Sequence, residues 1–133
     1  MTKVGALRVV VIDDSEDLRW IVRRQLADYR DIEIVGEGDS GEQAARLAVR
    51  HQADVAVVDL GMPVTGQAAI AALRRARLVK IVVLSGHGEA GRREALSAGA
   101  DAYAQKGDPT RMTRELAAAI YRVSGGGFSP SGP

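Results

Sequence analysis

The stretch Val9–Trp20, VVVIDDSEDLRW, carries four apolar residues straight into two adjacent aspartates, Asp13 and Asp14, and then into a segment of helical spacing. Two unit charges about 4 Å apart repel by about 4 kcal/mol at an effective dielectric near 20, a cost that something in the fold should offset. The run Leu7–Ile12 is β-branched and nearly continuous, the pattern of a strand buried on both faces. Ser15–Tyr29 reads as a helix with Leu18, Ile21, Val22, Leu26 and Tyr29 along one face.

The same alternation continues along the chain. Ile32–Glu37, Val55–Asp59, Lys80–Ser85 and Ala102–Gln105 read as further strands. Between them, helices are expected from Ser40 to His51, over Gly66–Arg75 and over Gly91–Ser97. Ser40–Gln43, SGEQ, has the spacing of a capping box. Gly99 is placed as a helix C-cap, and Asp108-Pro109 as an N-cap followed by proline at the first helical position. The last helix should reach Val123, with Met112, Leu116, Ala119 and Ile120 inward. Strand–helix units in strict alternation imply an α/β fold, a parallel five-stranded sheet with right-handed crossovers and helices on both faces.

In such sheets the functional crevice lies beyond the carboxyl ends of the strands. The first strand ends in Asp13 and Asp14, the third in Asp59 within VVDLGMP, the fourth in Ser85 within VVLSG, and the fifth in Lys106 within YAQKGD. Polar residues end many strands, and an aspartate before a helix often serves only as its N-cap, a reading open to Asp14. Three converging carboxylates raise one another's pKa unless a cation compensates. A hard divalent ion such as Mg²⁺ does so, keeping waters and phosphate oxygens in its remaining positions. A metal and a lysine beside a further carboxylate suit phosphoryl transfer, which needs positioning and charge neutralisation, and a carboxylate can itself take the phosphoryl group.

Composition excludes several other classes. The 133-residue chain suggests one domain, and its 46% apolar and 26% charged residues are ordinary for a globular protein. A formal net charge of +1 gives no basic field for direct nucleic-acid contact. Of 18 basic residues only three are lysine, Lys3, Lys80 and Lys106. The absence of cysteine excludes disulfides and thiolate metal sites. No apolar run approaches the ~20 residues of a membrane span, and Arg8 interrupts any signal-peptide pattern, so no membrane contact is expected and the expected location is the cytoplasm.

VIDD with Asp13 and Asp14, VVDLGMP with Asp59, VVLSG with Ser85, and GADAYAQK with Tyr103 and Lys106 together resemble a response-regulator receiver domain of two-component signalling. The resemblance spans about Leu7 to Val123. It implies a flavodoxin-like sheet of order 2-1-3-4-5, with residues 1–123 as the receiver and 124–133 as a linker or tail. It further implies that Asp59 accepts a phosphoryl group from a sensor histidine kinase. Asp13, Asp14, Asp59 and the Gly61 backbone carbonyl would hold Mg²⁺, and Lys106 would pair with a phosphate oxygen. Ser85 would turn to the phosphate, and the Tyr103 ring would follow it inward. That movement would remodel a surface on which a partner or a second copy of the chain could dock.

DIEIVGEGDSGEQAARLA is similar to the NarL-like branch, whose receivers usually precede a LuxR-type helix-turn-helix, and SGGGFSP resembles the linker before one. Contact with DNA is then expected only through a C-terminal domain absent from this chain. Several features depart from the family pattern. The loop from Asp59 to Gly66 is one residue short, and the intervals of 26 residues from Asp59 to Ser85 and 21 from Ser85 to Lys106 are also short. Gln105 stands where an apolar residue is usual, and Lys106 is followed by Gly107 instead of proline. These departures motivate a second reading, a pseudo-receiver that binds a partner without being phosphorylated. A third, an aspartyl-phosphate phosphatase of the haloacid-dehalogenase type, wants a second acid two residues after Asp59, where Gly61 stands.

Overall fold

Alternation of apolar side chains to both faces of one sheet organises the molecule. The computed structural model describes residues 5–61, 65–76 and 79–125. The elements run β1 (Leu7–Ile12), α1 (Glu16–Leu26), β2 (Ile32–Gly38), a single 3₁₀ turn (Gly41–Gln43), α2 (Ala44–Arg50), β3 (Val55–Val58), α3 (Thr65–Ala76), β4 (Lys80–Ser85), α4 (Gly88–Ala98), β5 (Ala102–Gln105) and α5 (Pro109–Val123). All strand pairs are parallel, in the order β2-β1-β3-β4-β5. This is the flavodoxin-like arrangement expected from the sequence.

Successive residues of a strand point to opposite faces, and the core divides accordingly. Val9, Val11, Val57, Val82, Leu84, Ala102 and Ala104 pack with Val22 and Leu26 of α1 and with Met112, Leu116, Ala119 and Ile120 of α5. Val10, Ile12, Ala56, Val58, Ile81 and Val83 pack on the other face with Ala44 and Ala48 of α2, Ala69, Ile70 and Leu73 of α3, and Ala95 of α4. Burial on both faces explains why the strands read as continuous apolar runs.

Several boundaries differ from expectation, each for a local reason. Helix α1 stops at Leu26, short of Tyr29, because the chain turns there: the Tyr29 N–H donates to the Leu26 carbonyl at 3.0 Å. Tyr29 is buried against the core, which is why it extended the apolar periodicity. The expected helix from Ser40 begins as the 3₁₀ turn, with Gln43 Oε1 accepting from the Asp39 N–H at 2.8 Å and the Ser40 N–H at 3.3 Å. Gly99 does cap α4 with φ 112°, and the Asp108 side chain caps α5 by accepting from the Arg111 N–H at 3.0 Å. Helix α4 starts at Gly88, three residues earlier than read from sequence. The shortened stretch after Gly61 falls on residues 62–64, and most of the proposed linker on 126–133, both outside the described residues.

Gly66 sets how closely α3 approaches the end of β3. A Cβ there would lie 2.9 Å from the Asp59 carbonyl oxygen and 3.1 Å from Leu60 Cα, both backbone atoms that cannot swing aside. Alanine normally favours a helix over glycine by about 1 kcal/mol. Here Gly66→Ala should instead destabilise the fold by about 1–3 kcal/mol, the usual cost of overpacking. Urea denaturation measures this, and a variant more stable than the wild type would show that α3 does not press on the β3 exit.

Candidate functional site

Strands β1 and β3 are adjacent, and the chain leaves them at Asp13 and Asp59. The pairing continues one step past each strand: the Asp13 N–H donates to the Gly38 carbonyl at 3.0 Å, and the Asp59 N–H to the Ile12 carbonyl at 2.9 Å. Both carboxylates are therefore held by backbone at the sheet's carboxyl edge. They are also buried, with 2% and 5% of their surfaces exposed. Lys106, just past β5, places its ammonium 3.2 Å from Asp13 Oδ2 and 3.2 Å from Asp59 Oδ1. One cation thus serves two buried anions.

The remaining contacts are local. Asp13 Oδ1 accepts from the Ser15 N–H at 2.8 Å, and Asp59 Oδ1 from the Gly61 N–H at 2.8 Å. Neither the Gly61 nor the Lys106 contact uses Asp59 Oδ2. Asp13 Oδ2 is fully buried and accepts no hydrogen bond of regular geometry, leaving only the off-axis ammonium beside it. Burial pushes the Asp13 carboxyl above the usual aspartate range, and the neighbouring Asp59 charge adds to this; the Ser15 N–H and Lys106 oppose it.

Asp14 is exposed, and it does not cap α1. Ser15 does, its hydroxyl accepting from the Leu18 N–H at 3.2 Å. Asp14 is thereby free of the role that could have explained it. One carboxylate oxygen each from Asp13, Asp14 and Asp59 lie within 4.8 Å of one another. A hard ion with oxygen ligands at about 2.1 Å keeps those ligands within about 4.2 Å of one another, so this donor set fits Mg²⁺ with small side-chain shifts. The buried, under-partnered Asp13 Oδ2 points to the same need for a cation.

Ser85 and Tyr103 stand beside this cluster rather than in it. The Ser85 hydroxyl is fully buried and has no hydrogen-bond partner among the described residues. Tyr103 meets Ser85 through the backbone: its hydroxyl lies 2.9 Å from the Ser85 carbonyl and 2.9 Å from Gln105 Oε1. Arg19 was not singled out from sequence. Its guanidinium donates to the Asp13 carbonyl at 2.6 Å and pairs with Glu37 of β2, as does Arg23, which fixes the loop that carries the acidic pair. Its position in the α1 pattern looks like ordinary solvated surface. Of the two histidines, His51 ends α2 with its ring against Gly36, and His87 precedes α4 with no side-chain cap bond.

Residues 9–117 match the family described as response regulator receiver domain. The chain belongs to that family. Among curated relatives, the receiver resembles the response regulator UvrY of Escherichia coli strain K12, at 33% identity over 123 residues, covering 90% of this chain and 55% of that protein. It also resembles a protein-glutamate methylesterase/protein-glutamine glutaminase of Alkalilimnicola ehrlichii, at 31% identity, covering 95% of this chain and 35% of that protein. The chain therefore spans about a third to about half of these relatives. Among solved structures, the signal receiver domain of the putative response regulator NarL from Mycobacterium tuberculosis matches with TM-score 0.76 and 31% identity, over 91% of this chain and 98% of that one. The response regulator domain of Thermotoga maritima CheB matches with TM-score 0.81 and 25% identity, over 90% and 96%. The acidic cluster and lysine are typical of Mg²⁺-binding receivers.

Two measurements check the reading of the cluster. Asp14 and Asp17 are both exposed, but only Asp14 lies in the cluster. Even a residue that only supports a metal ligand is worth 10–100-fold in affinity, so Asp14→Ala should weaken Mg²⁺ binding by roughly tenfold or more. Asp17→Ala should leave it unchanged in the same calorimetric titration. The second uses the raised Asp13 carboxyl. With a folded pKa above the unfolded value, Asp13 lends stability that is fully present below the unfolded pKa and lost as pH rises through the folded one. Asp13→Asn imitates the neutral form. At pH 7 without metal it should raise the thermal midpoint by on the order of a few degrees. A lowered midpoint would mean that the Lys106 pairing outweighs the burial cost.

Proposed function

We propose that residues 1–123 form the phosphoacceptor domain of a two-component response regulator and that 124–133 begin a linker to an output domain. A sensor histidine kinase is the donor, and Asp59 is the acceptor. The observation that carries this reading is the shared ammonium of Lys106, 3.2 Å from both Asp13 and Asp59 in a buried rim. An ion pair placed only for stability would not need two carboxylates on one lysine.

In the transfer, an Asp59 carboxylate oxygen attacks phosphorus, the P–N bond to the kinase histidine breaks, and the imidazole leaves with the bonding pair and takes up a proton. Asp59 Oδ2 is the candidate nucleophile, since Oδ1 is already engaged by Gly61 and Lys106. Asp13, Asp14, Asp59 and the Gly61 carbonyl would hold Mg²⁺, which when bound neutralises charge on the transferring phosphoryl oxygens. Lys106 would turn from Asp59 Oδ1 to a phosphate oxygen. The Ser85 hydroxyl, buried without a partner, is a donor available to the same group.

The output is read as transcriptional, through a LuxR-type helix-turn-helix beyond the linker. Support comes from the likeness to the NarL receiver and to a LuxR-family regulator of Aurantimonas sp. SI85-9A1, 28% identical with TM-score 0.79. The methylesterase relative marks the alternative output class.

Incubation with acetyl phosphate and Mg²⁺ should add one phosphoryl group to the wild type by intact mass, and none to Asp59→Asn. Undiminished uptake by Asp59→Asn would refute the assignment, and no uptake by the wild type would favour a pseudo-receiver.

A further inference from the structure

Gln105 is a polar, half-buried residue at the end of β5, the short strand at one edge of the sheet. In β5 the alternation sends Ala102 and Ala104 into the α5-side core and sets Tyr103 and Gln105 side by side on the α4 side. Gln105 Oε1 accepts from two donors there, the Tyr103 hydroxyl at 2.9 Å and the Gly88 N–H at 3.1 Å. Gly88 is the first residue of α4, and the N–H groups of a helix's first turn have no partner within the helix. His87, in the N-cap position, offers no side-chain cap. The cap comes instead from Gln105, on the neighbouring strand.

The tyrosine is held from several sides. Its hydroxyl also lies 2.9 Å from the Ser85 carbonyl, which takes the Lys106 N–H at 2.8 Å as well. One phenolic proton is thus shared between two acceptors. Above the ring, α4 comes close because residue 91 is glycine: a Cβ there would stand 3.2 Å from the Tyr103 hydroxyl oxygen and 2.8 Å from His87 Cβ. The inward ring, the amide and the first turn of α4 form one connected unit.

We propose that Gln105 is a positioning residue that latches Tyr103 inward and caps α4 from β5, so that the α4–β5 face is set before a phosphoryl group reaches Asp59. The last clause rests on the phosphoacceptor reading above; the latch itself does not. Phosphorylation then engages the unpartnered Ser85 hydroxyl without having to draw the ring in. Residue 105 governs how far the face responds: an acceptor there holds it set, and an apolar side chain releases it.

The test compares the 133-residue wild type with Gln105→Leu, which keeps bulk and removes the acceptor, and Gln105→Glu, which restores an acceptor. Amide hydrogen exchange is read by NMR at pH 7, without metal. Loss of one such bond is worth about tenfold, so exchange at Gly88 and through the first turn of α4 should speed up by roughly tenfold in Gln105→Leu. Exchange in β1 and α5 should not change, and Gln105→Glu should return Gly88 to near the wild-type rate. Beryllofluoride with Mg²⁺ should then move the amides of residues 88–92 and 103–105 less in the wild type than in Gln105→Leu. An unprotected Gly88 in the wild type, unchanged exchange in Gln105→Leu, or no rescue by Gln105→Glu overturns the latch. An equal beryllofluoride response in wild type and Gln105→Leu overturns the preset face. Failure of beryllofluoride to shift Asp59 and Gly61 in any variant overturns the phosphoacceptor reading instead, while the metal-free exchange rates still decide the latch.

Discussion

The ammonium of Lys106 between two buried carboxylates is the contact around which the rest of this fold is arranged. Adjacent strands lie about 4.8 Å apart. Asp13 and Asp59 leave neighbouring strands, but Lys106 leaves β5, with β4 in between. The lysine must therefore cross roughly 10 Å of sheet edge to Asp59 and roughly 14 Å to Asp13. Only a long side chain does this. It passes the exit of β4 at Ser85 and Gly86, where a Cβ at Gly86 would meet Lys106 Cβ at 3.9 Å, an ordinary contact distance. Strand order and side-chain length are thus one constraint.

The charge balance at this edge is incomplete. One ammonium faces two inner carboxylates with a third, Asp14, beside them. The raised Asp13 carboxyl reflects its burial first and the neighbouring Asp59 charge second. A divalent cation would correct the balance. Ser85, Tyr103 and Gln105 connect the rim to α4 through neutral hydrogen bonds, so an electrostatic event at Asp59 has a short physical path to an outer surface.

Much of this was legible in the sequence because burial on both faces leaves a plain signal. The runs Leu7–Ile12, Lys80–Ser85 and Ala102–Gln105 gave the observed strand limits, and the acidic pair, Asp59 and Lys106 stood out as strand-end groups. What was not legible depends on partners distant in sequence. The start of α4 was missed because GHGEA lacks a local cap and Gln105, 17 residues on, provides it. Gln105 itself looked like an anomaly, since nothing local says which helix it faces. The end of α1 was overrun because Tyr29 is apolar and buried but sits in a turn. Asp14 could have been a cap from sequence alone; only the Ser15 hydroxyl on the Leu18 N–H removes that reading.

The central claim is that a buried, under-compensated carboxylate pair awaits a cation, and the carboxyl carbons report on it directly. A ¹³C NMR pH titration of the aspartate side chains, run with and without Mg²⁺, follows Asp13 directly. Without metal, Asp13 should titrate above the usual aspartate range, and saturating Mg²⁺ should bring its midpoint down. An Asp13 that titrates in the ordinary range and ignores Mg²⁺ would contradict the account.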